Sequence, residues 1–175
     1  MAGLGGIGTE VAERAHALGM NVIATRNTPH EKPPFVSEQG LSGDLLAFAA
    51  RADVIVNALP LTPETRGLFN KAFFDAAKRG ALFINVGRGA TVVTGDLIAA
   101  LQDGRIGGAG LDVTDPEPLP VDHPLWHAPN VLITPHVAAT VATSDESRWL
   151  IVRENLRRYA AGGRLLSEVD VKRGY

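Results

Sequence analysis

The sequence contains no cysteine and carries no excess of charge of either sign. Its 175 residues include 17 Lys and Arg against 19 Asp and Glu. The absence of cysteine excludes disulfide bonds, thiolate metal sites and cysteine nucleophiles. The balanced charge gives no electrostatic reason to expect binding to nucleic acid or to an anionic membrane. No apolar run approaches the roughly 18 residues of a membrane span. We therefore expect a cytoplasmic globular protein with no metal, nucleic-acid or membrane partner.

What the sequence does contain is a series of short apolar runs separated by helical patterns. The runs cover residues 21–25, 53–58, 81–86, 108–113 and 130–134. Continuous apolar runs are typical of parallel strands that are covered on both faces. Strands that alternate with helices predict right-handed βαβ units. The fold class is therefore α/β, a Rossmann-like doubly wound parallel sheet. Helices are predicted at residues 7–18, 44–50, 71–78 and 96–101.

The last part of the chain has a different pattern. We assign residues 1–142 to a dinucleotide-binding, Rossmann-like domain and residues 143–175 to a C-terminal helix and tail. The helix carries a stripe of large apolar side chains at helical spacing. Amphipathic helices normally bury such a stripe, so we expect it to pack in a core. The stripe consists of Trp149, Val152, Leu156 and Tyr159.

A glycine-rich loop at the start of the chain indicates a nucleotide ligand. Gly3, Gly5 and Gly8 fit the pattern G-x-G-x-x-G, and Gly6 and Ile7 lie between them. In this motif the first glycine permits a tight turn and the second lets a pyrophosphate approach the backbone. The third allows a helix to pack closely on a strand. The motif also requires a preceding strand, and only two residues precede it here. We therefore expect the first, central strand to be missing from this chain.

Arg26 ends the second apolar run, about 20 residues after the glycines, where cofactor preference is decided. NAD-binding domains place an acidic residue there for the ribose hydroxyls, whereas an arginine suits the 2′-phosphate of NADP. His30 and Lys32 follow closely. The alternative is a solvated loop arginine, which would leave the choice to other contacts. NADP is the preferred cofactor, and NAD stays open.

Three residues of complementary chemistry follow successive predicted strands. They are Arg88, Glu117 and His136, and open α/β sheets bind ligands beyond such strand ends. Arg88 could grip a carboxylate and polarise a carbonyl. His136 could exchange the proton that accompanies hydride transfer, and Glu117 could orient its imidazole. Asp112, at the end of its own strand, could hold the nicotinamide.

Each of these residues also has a structural alternative. The arginine could be solvated, the glutamate could belong to a rigid Asp-Pro-Glu-Pro turn, and the histidine could be buried with its hydrogen bonds satisfied. His123 and His127 are rival histidines in a proline-rich loop. They do not follow a strand, so they rank below His136.

Five segments, in this order and spacing, carry a family resemblance. The chain resembles the D-isomer-specific 2-hydroxyacid dehydrogenases over essentially all of its length. Within that family it is similar to the glyoxylate/hydroxypyruvate reductases. The resemblance implies NADP or NAD as cofactor, a small 2-oxo acid as substrate and a homodimer as the assembly. The five segments are residues 3–8, 59–68, 85–89, 110–120 and 134–138.

The same resemblance implies roles for individual residues. It makes Arg88, Glu117 and His136 the catalytic set, and Arg26 is similar to the NADP-preferring members. The implied cofactor-binding residues are Gly3, Gly5, Gly6, Ile7, Gly8, Arg26, Leu59, Pro60, Thr65, Val86, Gly87, Arg88, Asp112, His136, Ala138 and Ala139.

Family members also have a separate substrate domain, built mainly from N-terminal sequence, to which their last helix returns. No segment here matches that domain, so we expect an N-terminally truncated chain that turns over poorly alone. Two further hypotheses stay open. One is a non-catalytic dinucleotide-binding sensor or corepressor-like module, and the other is an inactive fragment.

Overall fold

A computed structural model describes residues 1–140 and 144–171. The chain forms two compact units, Met1–Pro135 and His136–Tyr175. The domain boundary expected between residues 142 and 143 lies outside the described residues, as does the end of the tail, residues 172–175.

Strands and helices alternate along the first unit, and one long helix forms most of the second. The helices are α1 Gly6–Ala17, α2 Leu45–Ala49, α3 Lys71–Ala76, α4 Thr94–Gln102 and α5 Ser144–Ala160. The strands are β1 Ile23–Arg26, β2 Glu38–Leu41, β3 Val54–Asn57, β4 Ala81–Asn85, β5 Ile106–Leu111 and β6 Val131–Ile133. Short 3₁₀ turns cover Ser42–Asp44, Gly89–Thr91 and Pro124–His127.

The sheet is parallel throughout, which confirms the predicted Rossmann-like α/β fold. Strands β3, β4, β5 and β6 lie side by side in that order, and β1 pairs with β2. Ala2 lies between the two groups and forms parallel bridges to Thr25 and Asn57. Its backbone N–H donates to the Val56 carbonyl at 2.8 Å, and its own carbonyl accepts from Ala58 at 2.9 Å. Strands β1 and β2 therefore lie on one side of Ala2 and β3 to β6 on the other, and Ala2 leads into the glycine loop.

Strand β2 is the element that the sequence analysis did not predict. Its four residues, Glu-Gln-Gly-Leu, contain no apolar run, so local pattern gives no strand signal. The strand forms because it pairs with β1 in parallel register, Ile23 opposite Glu38 and Arg26 opposite Leu41. Strand β5 also begins at Ile106, two residues before the predicted start at Gly108. Both corrections show tertiary pairing overriding weak local preference.

A cluster of phenylalanines supports the end of β4 from one face of the sheet. Phe69, Phe73, Phe74 and Phe83 are each at most 1% exposed. The Phe69 and Phe73 rings meet edge to face with centroids 4.7 Å apart, and Phe74 and Phe83 do so at 5.5 Å. Such pairs add to the stabilisation that burial alone provides. Strand β4, which leads into the turn of Arg88, is therefore held by closely packed aromatic rings.

The apolar stripe of α5 is exposed, so the prediction that it packs in a core is wrong for this structure. Trp149 is 61% exposed, Leu156 62% and Tyr159 78%. The physical reason is the small number of regular elements in the second unit. In its described part α5 is the one regular element, so no second element of that unit faces the stripe.

Candidate functional site

The glycine loop leads into α1 with the geometry that a bound pyrophosphate requires. Gly3 has a φ of +90°, which favours glycine, and a Cβ at Gly8 would lie 1.9 Å from the Gly3 carbonyl oxygen. A Cβ at Gly5 or Gly6 would meet nothing within 4 Å, so this side of the loop is open. No side chain caps α1 and its first turn contains no acidic residue. The loop and the helix N-terminus therefore fit a dinucleotide phosphate.

Arg26 lies at the end of β1, beside the glycine loop. The backbone N–H of Gly3 donates to the carbonyl of Thr25 at 3.1 Å, which joins the loop to this strand end. The Nε atom of Arg26 is buried and has no hydrogen-bond partner in the structure. A buried donor without an acceptor is costly, and an anionic ligand oxygen would satisfy it. This donor fits the 2′-phosphate of NADP.

The segment after β3 forms a closed turn against the glycine loop. The backbone N–H of Leu59 donates to Asn57 Oδ1 at 3.0 Å. The Thr65 hydroxyl donates to the Pro60 carbonyl at 2.6 Å, so Thr65 closes its own turn. A Cβ at Gly3 would lie 3.0 Å from Leu59 Cδ2. Leu59, Pro60 and Thr65 thus lie together beside the phosphate-binding loop.

Arg88 follows β4 on a turn whose backbone is held by several hydrogen bonds. Its carbonyl accepts from the Thr91 hydroxyl at 2.6 Å, and its Nη1 donates to the Gly87 carbonyl at 2.8 Å. The N–H of Val86 donates to the Asn57 carbonyl at 3.1 Å, which continues the sheet into this turn. The residue as a whole is exposed. A fixed backbone with an exposed guanidinium suits the binding of a carboxylate.

Asp112 and Glu117 follow β5. Asp112 is 7% exposed, and its Oδ1 accepts a hydrogen bond from the Thr134 hydroxyl at 2.6 Å. Glu117 is exposed on the loop that follows. A Cβ at Gly89 would lie 1.8 Å from the Thr114 carbonyl oxygen. The structure therefore brings the turn of Arg88 against the loop that carries Glu117.

His136 opens the second compact unit, directly after Pro135. It is exposed, and its φ of +55° lies in the left-handed region, which is uncommon for a residue other than glycine. Such backbone geometry is concentrated at functional sites. Ala138 and Ala139 follow it in the same unit and are also exposed.

The two rival histidines lie at the ends of the 3₁₀ turn Pro124–His127. His123 Nδ1 accepts a hydrogen bond from the N–H of Leu125 at 3.2 Å, so His123 caps this turn. His127 ends the turn and is exposed. The structure thus gives His123 a local structural role.

The sequence analysis missed three buried polar residues at the strand ends. Asn57, Asn85 and Thr91 are each at most 1% exposed, and Asn57 Nδ2 donates to both of the others. A signal for two of them is present in the sequence, since β3 and β4 are apolar strands that each end in asparagine. Only the register of the sheet, which places Asn57 opposite Asn85, shows that the two side chains meet.

Across residues 1–140 and 144–171, no group of three or more His, Asp or Glu residues is arranged to hold a metal ion. In the same part of the chain, no helix has the length and apolar character needed to cross a membrane.

Comparison with known proteins identifies related sequences and structures. The family model described as D-isomer specific 2-hydroxyacid dehydrogenase, NAD binding domain, matches residues 1–138. A curated relative from Corynebacterium melassecola, described as an uncharacterized protein in the proB 3′ region, is 40% identical over 174 residues. That match covers 99% of this chain and 57% of the relative's length.

Two solved structures show the same fold at high similarity. One is a D-isomer specific 2-hydroxyacid dehydrogenase from Xanthobacter autotrophicus Py2 in complex with NADPH and MES. It is 43% identical with a TM-score of 0.92, covering 99% of this chain and 71% of that one. The other is an NADPH-dependent glyoxylate/hydroxypyruvate reductase from Sinorhizobium meliloti in complex with NADP and sulfate. It is 36% identical with a TM-score of 0.91, covering 99% of this chain and 55% of that one.

Proposed function

This chain belongs to the D-isomer specific 2-hydroxyacid dehydrogenase family, and we propose that it binds NADP(H) for hydride transfer to a small 2-oxo acid. Glyoxylate and hydroxypyruvate are the proposed substrates. The observation that carries the proposal is Arg26, whose buried Nε lacks a partner at the end of β1, beside an open glycine loop. The NADPH and NADP bound to the two solved relatives support the same choice of cofactor.

Each side chain of the proposed site has a separate role in the reduction of the 2-oxo acid. Bound NADPH supplies a hydride to the keto carbon. Arg88 binds the substrate carboxylate and polarises the neighbouring carbonyl. His136 donates a proton to the carbonyl oxygen as the alcohol forms, and Glu117 is the acidic member of the proposed catalytic set. Asp112, whose Oδ1 already accepts from Thr134, holds the carboxamide side of the nicotinamide.

The choice between NADP and NAD is tested by binding of NADPH and NADH to the purified chain. We expect NADPH to bind at least about tenfold tighter, because charge-assisted hydrogen bonds to a phosphate are worth more than about 1.4 kcal/mol. The substitution Arg26→Ala should abolish this preference and leave NADH binding unchanged. Arg79→Ala is the matched control, since Arg79 lies before β4 and bonds to the Asp103 carbonyl. Equal affinities in the unmodified chain would contradict the role of Arg26.

The reaction is tested by the consumption of NADPH in the presence of glyoxylate or hydroxypyruvate. Consumption that disappears in Arg88→Ala and His136→Ala would support the proposed roles. Tight NADPH binding without consumption of either acid, even after an N-terminal substrate domain is joined to the chain, would instead favour a non-catalytic dinucleotide-binding module.

A further inference from the structure

A closed hydrogen-bond network lies under the two turns that follow β3 and β4. Asn57 Nδ2 donates to Asn85 Oδ1 at 2.9 Å and to the Thr91 hydroxyl oxygen at 2.8 Å. The three side chains are between 0 and 1% exposed. Both N–H bonds of the Asn57 amide are therefore used, and water does not compete for them. Hydrogen bonds in such dry surroundings strengthen one another and fix their groups firmly.

The remaining bonds of the network all go to the backbone of the two turns. Asn57 Oδ1 accepts from the N–H of Leu59 at 3.0 Å, and Asn85 Oδ1 accepts from the N–H of Gly87 at 3.0 Å. The Thr91 hydroxyl donates to the Arg88 carbonyl at 2.6 Å. The network thus holds one group on the Leu59 turn and two on the turn of Arg88.

The two turns also touch directly. A Cβ at Gly87 would lie 2.7 Å from the Leu59 carbonyl oxygen and 3.4 Å from Asn57 Nδ2. Because there is no space between the turns, a shift of one displaces the other. Asn57 is the one side chain of the network that bonds to the Leu59 turn and also, through Asn85 and Thr91, to the Arg88 turn.

We propose that Asn57 is a positioning residue that fixes the turn Leu59–Pro60, which resembles the family segment that lines the nicotinamide side of the site, relative to the substrate arginine, Arg88. The inference rests on the proposed function, in which the Leu59–Pro60 turn faces the nicotinamide half of the cofactor and Arg88 binds the substrate carboxylate. Asn57 acts through Leu59, Gly87 and Arg88 and touches neither ligand. Its loss loosens binding of the nicotinamide half and leaves the adenosine half, which depends on the glycine loop and Arg26, unchanged.

The test compares two probes on the full 175-residue chain. NADPH engages both halves of the site, whereas adenosine 2′,5′-bisphosphate engages the adenosine half alone. The variants are Asn57→Leu, which removes all three bonds at similar volume, and Thr91→Val, which removes one hydroxyl at constant shape. Thr91→Ser keeps that hydroxyl and is the conservative rescue. Ile106→Ala lowers stability from the start of β5, where the buried Ile106 lies opposite Ala81, at the other end of β4 from the turn of Arg88.

We expect Asn57→Leu and Thr91→Val to weaken NADPH binding by about tenfold with bisphosphate binding unchanged. Thr91→Ser should bind both probes normally, and Ile106→Ala should lower the melting temperature without changing the ratio of the two affinities. If Asn57→Leu does not fold, the comparison of Thr91→Val with Thr91→Ser tests the inference.

Equal losses for the two probes, or no loss for either, overturn the inference and leave the proposed function in place. So does an unmodified chain that binds NADPH no tighter than the bisphosphate. An unmodified chain that binds neither probe overturns the proposed function, and the inference with it.

Discussion

Gly89 shows how tightly the substrate-side turn is packed at the scale of one residue. Its Cα faces the loop of Glu117, and an added Cβ would lie 1.8 Å from the Thr114 carbonyl oxygen and 2.8 Å from the Asp115 nitrogen. We expect Gly89→Ala to lower the free energy of unfolding by about 3 kcal/mol, since both clashing atoms are backbone and cannot rotate away. Urea denaturation measures the change.

Gly95 is the matched control for this substitution. It lies in α4, and a Cβ there would meet nothing within 4 Å. Gly95→Ala should raise the free energy of unfolding by about 0.5 kcal/mol, because alanine loses less backbone entropy in a helix. Equal stability of Gly89→Ala and the unmodified chain would show that the two loops do not touch in solution.

Single residues also show what the sequence could and could not predict about the site. The glycines, Arg26 and Arg88 can be selected as candidates from the sequence because their chemistry is local to a motif. Asn57 and Asn85 cannot, because their importance comes from a register that brings together residues 28 positions apart. The cap on α3, in contrast, involves residues that are close in sequence. Asn70 Oδ1 accepts a hydrogen bond from the backbone N–H of Phe73, only three residues on, so local sequence is enough to predict it.

At the scale of elements, α5 holds a charge cluster with a defined pH dependence. Hydrogen bonds from Arg157 and then Arg158 lower the pKa of Glu154 to about 2. The donating atoms lie 2.7 to 2.9 Å from the carboxylate oxygens. A folded-state pKa below the ordinary value stabilises α5 at pH values above about 4.5, and this contribution disappears as the pH falls toward 2.

An NMR titration of the Glu154 carboxyl carbon measures this pKa. Replacing both arginines, Arg157→Gln with Arg158→Gln, should return it toward 4.5. The effect on stability should be small, because exposed ion pairs contribute little. An unshifted titration in the unmodified chain would show that the cluster is not formed in solution.

The strands and helices differ in how well their own sequences predict them. The apolar runs of β3 and β4 predicted both strands, since a buried parallel strand must be apolar on both faces. Strand β2 has no such run and depends on β1 for its partner, so only the assembled sheet specifies it. The stripe of α5 predicted a helix correctly but not its surroundings, because an apolar face does not identify what covers it.

At the scale of the whole molecule, the stability of the 175-residue chain, prepared with Met1 as its first residue, depends on pH through its free amine. This amine donates to the Ile23 carbonyl at 2.7 Å, and burial lowers its pKa to about 6 from 8.0. Between these values the unfolded chain binds a proton that the folded chain does not, so the free energy of unfolding rises with pH. A shift of two units corresponds to about 3 kcal/mol between pH 6 and 8.

Denaturant unfolding across this pH range tests the coupling, with mass spectrometry to verify that Met1 is retained. An N-acetylated chain is the control, because it keeps an N–H donor for Ile23 and loses the titrating charge. A flat profile in the unmodified chain, or an equal rise in both, would contradict the assignment to Met1.

The close contacts at Gly87 and Gly89 also bear on how the site can evolve. Neither position accepts a side chain while Leu59 and Thr114 keep their places, so a substitution at either glycine requires coordinated changes in the segment that faces it. Arg26 ends β1 and is partly exposed, and no close contact of this kind surrounds Gly5 or Gly6 in the neighbouring loop. Descendants of this chain would therefore alter the nucleotide-binding side of the site more readily than the backbone of the turn that carries Arg88.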